Sequence, residues 1–155
     1  MFEEIDKLLI QEDKRILFAG IGNLLRSDDG VGVYISQRIR KRNSVSALSV
    51  EVSIENYIGK INNLDPDILI LIDCVDFNAT AGTFKLLPVS QIEDLTFNTH
   101  NISIKRLSEF FNMQVYILGI QPLKIDFSEN ISYLVKHVAD KIINHINKKE
   151  VYHAC

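Results

Sequence analysis

The chain lacks the features that would place it in a membrane, outside the cell or on nucleic acid. Its longest apolar stretches, Ile68–Ile72 and Val115–Ile120, fall well short of the roughly 20 apolar residues that a bilayer-spanning helix requires. Cysteine is scarce, with two thiols, Cys74 and Cys155, among 155 residues. The opening segment MFEEIDKLLIQEDKR has no basic start, no uninterrupted apolar core and no small-residue cleavage site, so reduced thiols and a cytoplasmic location are expected. Positive charge is not in excess: 17 Lys and Arg stand against 20 Asp and Glu, for a net charge of −3. No global basic field exists to hold a nucleic acid. Repeats, low-complexity tracts and Pro/Gly-rich linkers are also missing. What remains is the profile of one compact domain over residues 1–155, with 1–14 as an N-terminal helical extension and 150–155 as a frayed tail, expected as a monomer.

Short β-branched runs alternate with amphipathic segments, the pattern of an α/β domain. A leading helix is predicted at Phe2–Gln11 and a first strand at Arg15–Gly20. A helix follows from about Asp29 to Arg42, with Val31, Ile35 and Ile39 on one stripe. The one basic cluster, Arg38, Arg40, Lys41 and Arg42, then falls at that helix's end, where cations complement the dipole; a partner-binding patch is the alternative. A second strand is predicted at Ala47–Ile54, a short helix at Tyr57–Leu64, and a third strand at Asp67–Asp73. The unbroken ILILI core of that third strand implies burial on both faces and a central place in the sheet.

The fourth strand, Gly82–Leu87, follows after only eight residues, Cys74–Ala81, whereas a parallel crossover needs about a dozen or more. It should therefore run antiparallel. A loop Pro88–Asn98, a helix Asn101–Phe111, a fifth strand Gln114–Gly119 and a last helix Glu129–Lys149 complete the chain. The last helix should bury Ile131, Leu134, Val135, Val138, Ile142 and Ile146, leaving His137 and His145 to solvent. The fold class is thus a three-layer αβα sandwich on a five-stranded, mostly parallel sheet with strand 4 antiparallel.

The sharpest local feature is Gly20-Ile21-Gly22-Asn23-Leu24-Leu25-Arg26-Ser27-Asp28-Asp29-Gly30-Val31-Gly32, a glycine-rich strand-to-helix turn ending in two acids. A dinucleotide site is one reading of it, but Leu25 replaces the third glycine of GxGxxG, and two carboxylates stand where a pyrophosphate needs bare N–H groups. Asp28 or Ser27 can serve as the helix cap. Asp29 is then left to face the sheet edge and hold a cation. Asp73 is either a strand-ending turn residue or a ligand, and His100 either a helix-start histidine or a ligand. In an open α/β sheet the active groups gather at the carboxyl ends of the strands. There, two carboxylates and an imidazole would suit a divalent ion with open positions.

The segments GIGNLLRSDDGVGV, ILILIDCVDF, FNTHNISIKRL and GIQP together resemble those of the hydrogenase maturation proteases, over roughly Arg15 to Lys149. The resemblance implies that Asp29, Asp73 and His100 are the metal-binding and catalytic trio. It also implies removal of the C-terminal extension of a hydrogenase large-subunit precursor after nickel insertion, the nickel serving as recognition signal, with zinc or cadmium as substitutes in vitro. Many members carry a Gly-Gly-Thr or similar turn after the second strand, where this chain has Glu55-Asn56-Tyr57. Those three, with Asn23 and Gln121, are the expected substrate contacts.

No nucleophile is evident. Ser27 and Ser103 lack an obvious base, and period-2 alternation should turn Cys74 away from Asp73 as a buried structural thiol. Metal-assisted hydrolysis is then the economical expectation. His153 and Cys155 belong to the tail. The alternative from another class is a non-catalytic metal- or precursor-binding relative.

Overall fold

Burial on both faces, demanded by the Ile68–Ile72 run, requires a helical layer on each side of one sheet. The computed structural model describes residues 1–92 and 103–148 and has that arrangement. Its order is α1 (Glu3–Leu9), β1 (Ile16–Ile21), α2 (Val31–Ser36), β2 (Val45–Glu51), α3 (Ile58–Leu64), β3 (Ile68–Cys74), β4 (Phe84–Pro88), α4 (Ile104–Leu107), β5 (Gln114–Ile120) and α5 (Tyr133–Lys148). Short 3-10 turns occupy Ser27–Gly30 and Ile54–Tyr57. The sheet order is β2-β1-β3-β5-β4, with β3 central and every pairing parallel except β4 with β5.

Alternation along β3 assigns its residues to two cores. Ile68, Ile70 and Ile72 face Ile5 and Leu8 of α1, Val31 and Ile35 of α2, and Val135, Ala139, Ile142 and Ile146 of α5. Leu69 and Leu71 face Ile61 of α3 and Ile104 and Leu107 of α4. The fourth strand is antiparallel, as the eight-residue connection requires. It lies on the far side of β5, at the sheet edge, rather than beside β3.

Several boundaries move. The helix expected to reach Arg42 ends at Ser36, although residues 37–42 are good helix formers, because Arg42 pairs with Val45 in a bridge that leads into β2. The basic cluster is accordingly not the end of that helix. The Arg38 guanidinium lies 3.7 Å from the Tyr34 ring centroid, and Arg42 Nη2 donates to the Ile146 carbonyl at the far end of α5, at 2.9 Å. The final helix starts at Tyr133, and its buried stripe is rotated: Ala139 and Ile143 are covered while Leu134 is 51% exposed. Ala139, at the centre of that stripe, is fully buried in the core that α5 shares with α2.

The predicted solvent position of His145 is also corrected. Its Nε2 lies 2.6 Å from Asp6 Oδ1 and its ring stacks on Phe2 at 4.0 Å between centroids. The N-terminal helix is thereby docked onto α5. His137 is exposed and stacks on Tyr133. The predicted loop Pro88–Asn98 is described as far as Ile92, after a 3-10 turn at Val89–Gln91.

Helix α2 approaches the sheet closely at Gly32. A Cβ added to Gly32 would stand 2.1 Å from the Ile72 carbonyl oxygen and 2.5 Å from that of Ile21. Both obstacles are backbone, which relaxes poorly in a close-packed interior. Gly32→Ala should lower the unfolding free energy by about 2–3 kcal/mol, measured as a reduced midpoint in urea with an unchanged m-value.

Candidate functional site

The sheet order reverses between β1 and β3: the chain leaves β1 for β2 on one side, then returns across to β3. At such a switch point the connections diverge and open a crevice at the carboxyl ends of the strands. The turn Ser27–Gly30 follows β1 into that crevice, and Asp73 and Cys74 close β3 beside it. Gly22 makes the approach possible. It has φ of +134°, and a Cβ there would lie 1.9 Å from the Asp29 carbonyl oxygen and 3.7 Å from Asp73 Oδ1.

Asp28 and Asp29 are both fully buried, and Asp73 is 1% exposed. They have different duties. Asp28 does not cap α2, whose N-terminus has no side-chain cap. Its Oδ2 accepts from Leu123 N at 2.8 Å, Lys124 N at 3.1 Å and Ser132 Oγ at 2.8 Å, while Oδ1 accepts from Ser132 N at 2.7 Å. One carboxylate thus fastens the β5–α5 loop and the start of α5 to the glycine-rich turn. Ser27 strengthens the same seam through Asp126, to whose carboxylate its hydroxyl bonds, and through its own N–H to the Ser128 carbonyl at 2.7 Å. Ser103 caps α4, accepting from Arg106 N at 3.1 Å.

Asp29 faces the crevice. Its Oδ2 accepts from Asn23 N at 3.1 Å, and its Oδ1 lies 3.6 Å from Cys74 Sγ. Asp73 Oδ1 accepts from Cys74 N at 2.8 Å. One donor atom from each of Asp29, Asp73 and Cys74 falls within a set whose members are all within 4.8 Å of one another. The expectation that alternation turns Cys74 to the face opposite Asp73, as a buried thiol, holds; what it left out is that Asp29 meets the sulfur there. The Cys74 Cβ belongs to the α2 face of the sheet, Asp29 arrives on that same face, and at a strand terminus Asp73 can turn its carboxylate over the end. Alternation governs which face a Cβ leaves from, and does not separate side chains that meet at the rim.

Two buried carboxylates this close repel unless positive charge accompanies them, and the donor atoms lie close enough to share one ion, so the donor set fits a divalent cation. His100, expected as the third ligand, lies outside the described residues. Among the expected substrate contacts, Asn23 is half-buried at the crevice and its own Oδ1 accepts from Leu25 N at 2.9 Å. Glu55 and Asn56 are exposed and Tyr57 half-buried in the turn after β2, on the same sheet edge. Gln121 has an internal role: Oε1 accepts from Phe77 N at 2.6 Å and Ala79 N at 3.3 Å, and Nε2 donates to Asp76. Those bonds order the loop after β3. The Asn78 N–H and the Gln121 amide together hold the Asp76 carboxyl below its usual range.

A family model of the hydrogenase maturation proteases, HycI, matches residues 31–149. The chain belongs to the hydrogenase maturation protease family. The match starts just after the glycine-rich turn and takes in Asp73. A Methanocaldococcus jannaschii protein named for the same family is 29% identical over 154 residues, covering 90% of this chain and 89% of the relative. The crystal structure of the HycI maturation protease of Thermococcus kodakarensis superposes with a TM-score of 0.76 at 27% identity, covering 90% of this chain and 97% of that one. The solution structure of the Escherichia coli endopeptidase HycI shares the fold, with a TM-score of 0.74 at 22% identity over 88% of this chain and 91% of that one. As a member of the family this maturation protease is a peptide hydrolase on an αβα scaffold.

Asp28, which the sequence suggested as a cap worth about 1 kcal/mol, is instead a buried acceptor of four hydrogen bonds. Bonds to a charged acceptor contribute about 1.5–3 kcal/mol each, and their loss is not additive. Asp28→Ala in the maturation protease should cost at least about 3 kcal/mol of stability. Amide exchange should accelerate at Leu123, Lys124 and Ser132 together; unchanged protection there would contradict the fastening role.

Proposed function

We propose that this protease removes the C-terminal extension of a hydrogenase large-subunit precursor that already carries nickel, with Asp29, Asp73 and His100 meeting that metal. The observation that carries this reading is the pairing of buried Asp29 and Asp73 at the switch point of the sheet. Family membership supports the precursor as substrate. His100 enters on its place in the sequence and on the family resemblance.

The chain's own residues supply recognition. Asp29 is held by the Asn23 N–H and Asp73 by the Cys74 N–H, so neither carboxylate must be reoriented when a cation arrives. Two carboxylates fixed close together favour a ligand that brings positive charge and disfavour one that does not. A nickel-loaded precursor then docks where a nickel-free one leaves the repulsion uncompensated. The ion supplies Lewis acidity when bound, and zinc or cadmium would take the same donors in vitro. The exposed Glu55 and Asn56, with Tyr57 and Asn23, border the crevice along the route an extended substrate would follow. Among the described residues no helix is long and apolar enough to cross a membrane. A monomer acting in the cytoplasm is part of the same proposal.

Asp73→Asn keeps the shape of the side chain while removing a negative charge from the metal. It should reduce processing of a nickel-loaded cognate precursor by at least about a hundredfold, followed by intact-mass analysis, with circular dichroism unchanged. Nickel-free precursor should remain full length with the parent enzyme. Equal trimming by Asp73→Asn and parent would remove the metal mechanism. No trimming by the parent across cognate precursors would favour a precursor-binding relative without cleavage.

A further inference from the structure

The cysteine at the end of β3 is the element of the site that the trio does not use. Cys74 is fully buried, and its sulfur lies 3.6 Å from Asp29 Oδ1 and within 4.8 Å of a carboxylate oxygen of Asp73. Cys74 packs in the apolar core on the α2 face, and apolar packing alone gives no reason for carboxylates beside it. The sulfur of Cys74 also shares the rim with two carboxylates that approach from different directions. Asp29 comes down from the turn after β1, and Asp73 reaches over the end of its own strand. The absence of a Cβ at Gly22 lets the Asp29 backbone seat against the strand end, which brings that acid to the same rim.

We propose that Cys74 is a sulfur donor to the cation held by Asp29 and Asp73, and that it sets the metal preference of the site. The proposal rests on the reading that those two carboxylates hold a divalent ion. On binding, the S–H bond breaks, its proton passes to solvent and a sulfur–metal bond forms, with no change of oxidation state. Two carboxylates alone would accept hard ions such as magnesium or calcium. Adding a thiolate shifts the preference toward nickel, zinc, cobalt and cadmium. A protease that must distinguish a nickel-bearing substrate from abundant hard cations gains that discrimination from one side chain. The residue is a specificity determinant in this role, and no bond-making to the peptide is assigned to it.

The test uses the full chain carrying Cys155→Ser and His153→Ala, which removes the tail's competing donors, titrated anaerobically with cobalt(II) and with cadmium. Near-ultraviolet thiolate-to-metal charge-transfer absorption reports sulfur ligation directly, and calorimetry reports binding. The expected result is a charge-transfer band that saturates with a single equivalent, unaffected by excess magnesium. Cys74→Ser in the same background should lose the band, retain weaker binding, and lose its preference for cadmium over magnesium. Cys74→Ala is the second variant should serine disturb the packing, with thermal unfolding as the check on folding. Stoichiometric binding by the parent without a charge-transfer band overturns the role of Cys74 and leaves the carboxylate site standing. A band that persists in both Cys74 variants overturns it as well. Absence of any binding by the parent overturns the carboxylate site and the sulfur donor together.

Discussion

The close seating of the Ser27–Gly30 turn against the ends of β1 and β3 is the constraint on which the remainder of the molecule depends. It exists because Gly22 and Gly32 present no Cβ where backbone oxygens of Asp29, Ile21 and Ile72 already stand. Once the turn is seated, α2 must start against the sheet, Asp29 must enter the crevice, and Asp28 must face the opposite way. A packing requirement and a chemical requirement are met by the same few residues, and a change that relaxes the packing also displaces the acid.

Asp28 and Asp29 show how adjacent, equally buried side chains acquire unrelated roles. The first is satisfied by four donors from the β5–α5 loop and the head of α5. A buried carboxylate with that many donors is a fixed structural charge. The second is held by the Asn23 N–H while its other oxygen lies toward Cys74. The loop that Asp28 secures begins immediately after Gln121, whose amide orders the segment following β3. The ends of β1, β3 and β5 are thereby braced to one another through side chains, which suits a site that must keep two like charges in place.

The layout also suits a single edge of the sheet to carry the candidate site in a domain this small. The two cores on either face of the sheet keep the strand ends rigid. The turn after β2 places Glu55, Asn56 and Tyr57 on the same edge as the acids without crowding them. The antiparallel β4 closes the far edge of the sheet. Under the proposed function, a metal carried in by a substrate would need rigid donors more than a deep pocket.

By itself the sequence determined the αβα class, the central third strand, the reversed fourth strand and the placing of Asp29 and Asp73 at one edge. Each followed from a local quantity: the ILILI run, an eight-residue connection, and acids that immediately follow strand-like segments. Tertiary structure decided what depends on residues distant in the chain. Asp28 could not be read as a fastener because its partners, Leu123, Lys124 and Ser132, lie about a hundred positions away and, apart from the Ser132 hydroxyl, are backbone donors without a sequence signature. His145 gained Asp6 and Phe2 only when α1 docked on α5. The α5 stripe rotated toward Ala139 because helix register answers to the surface it meets, and periodicity alone leaves that angle open. Cys74 met Asp29 because the turn after β1 delivers that acid to the face from which Cys74 projects, a long-range placement that alternation along one strand does not report.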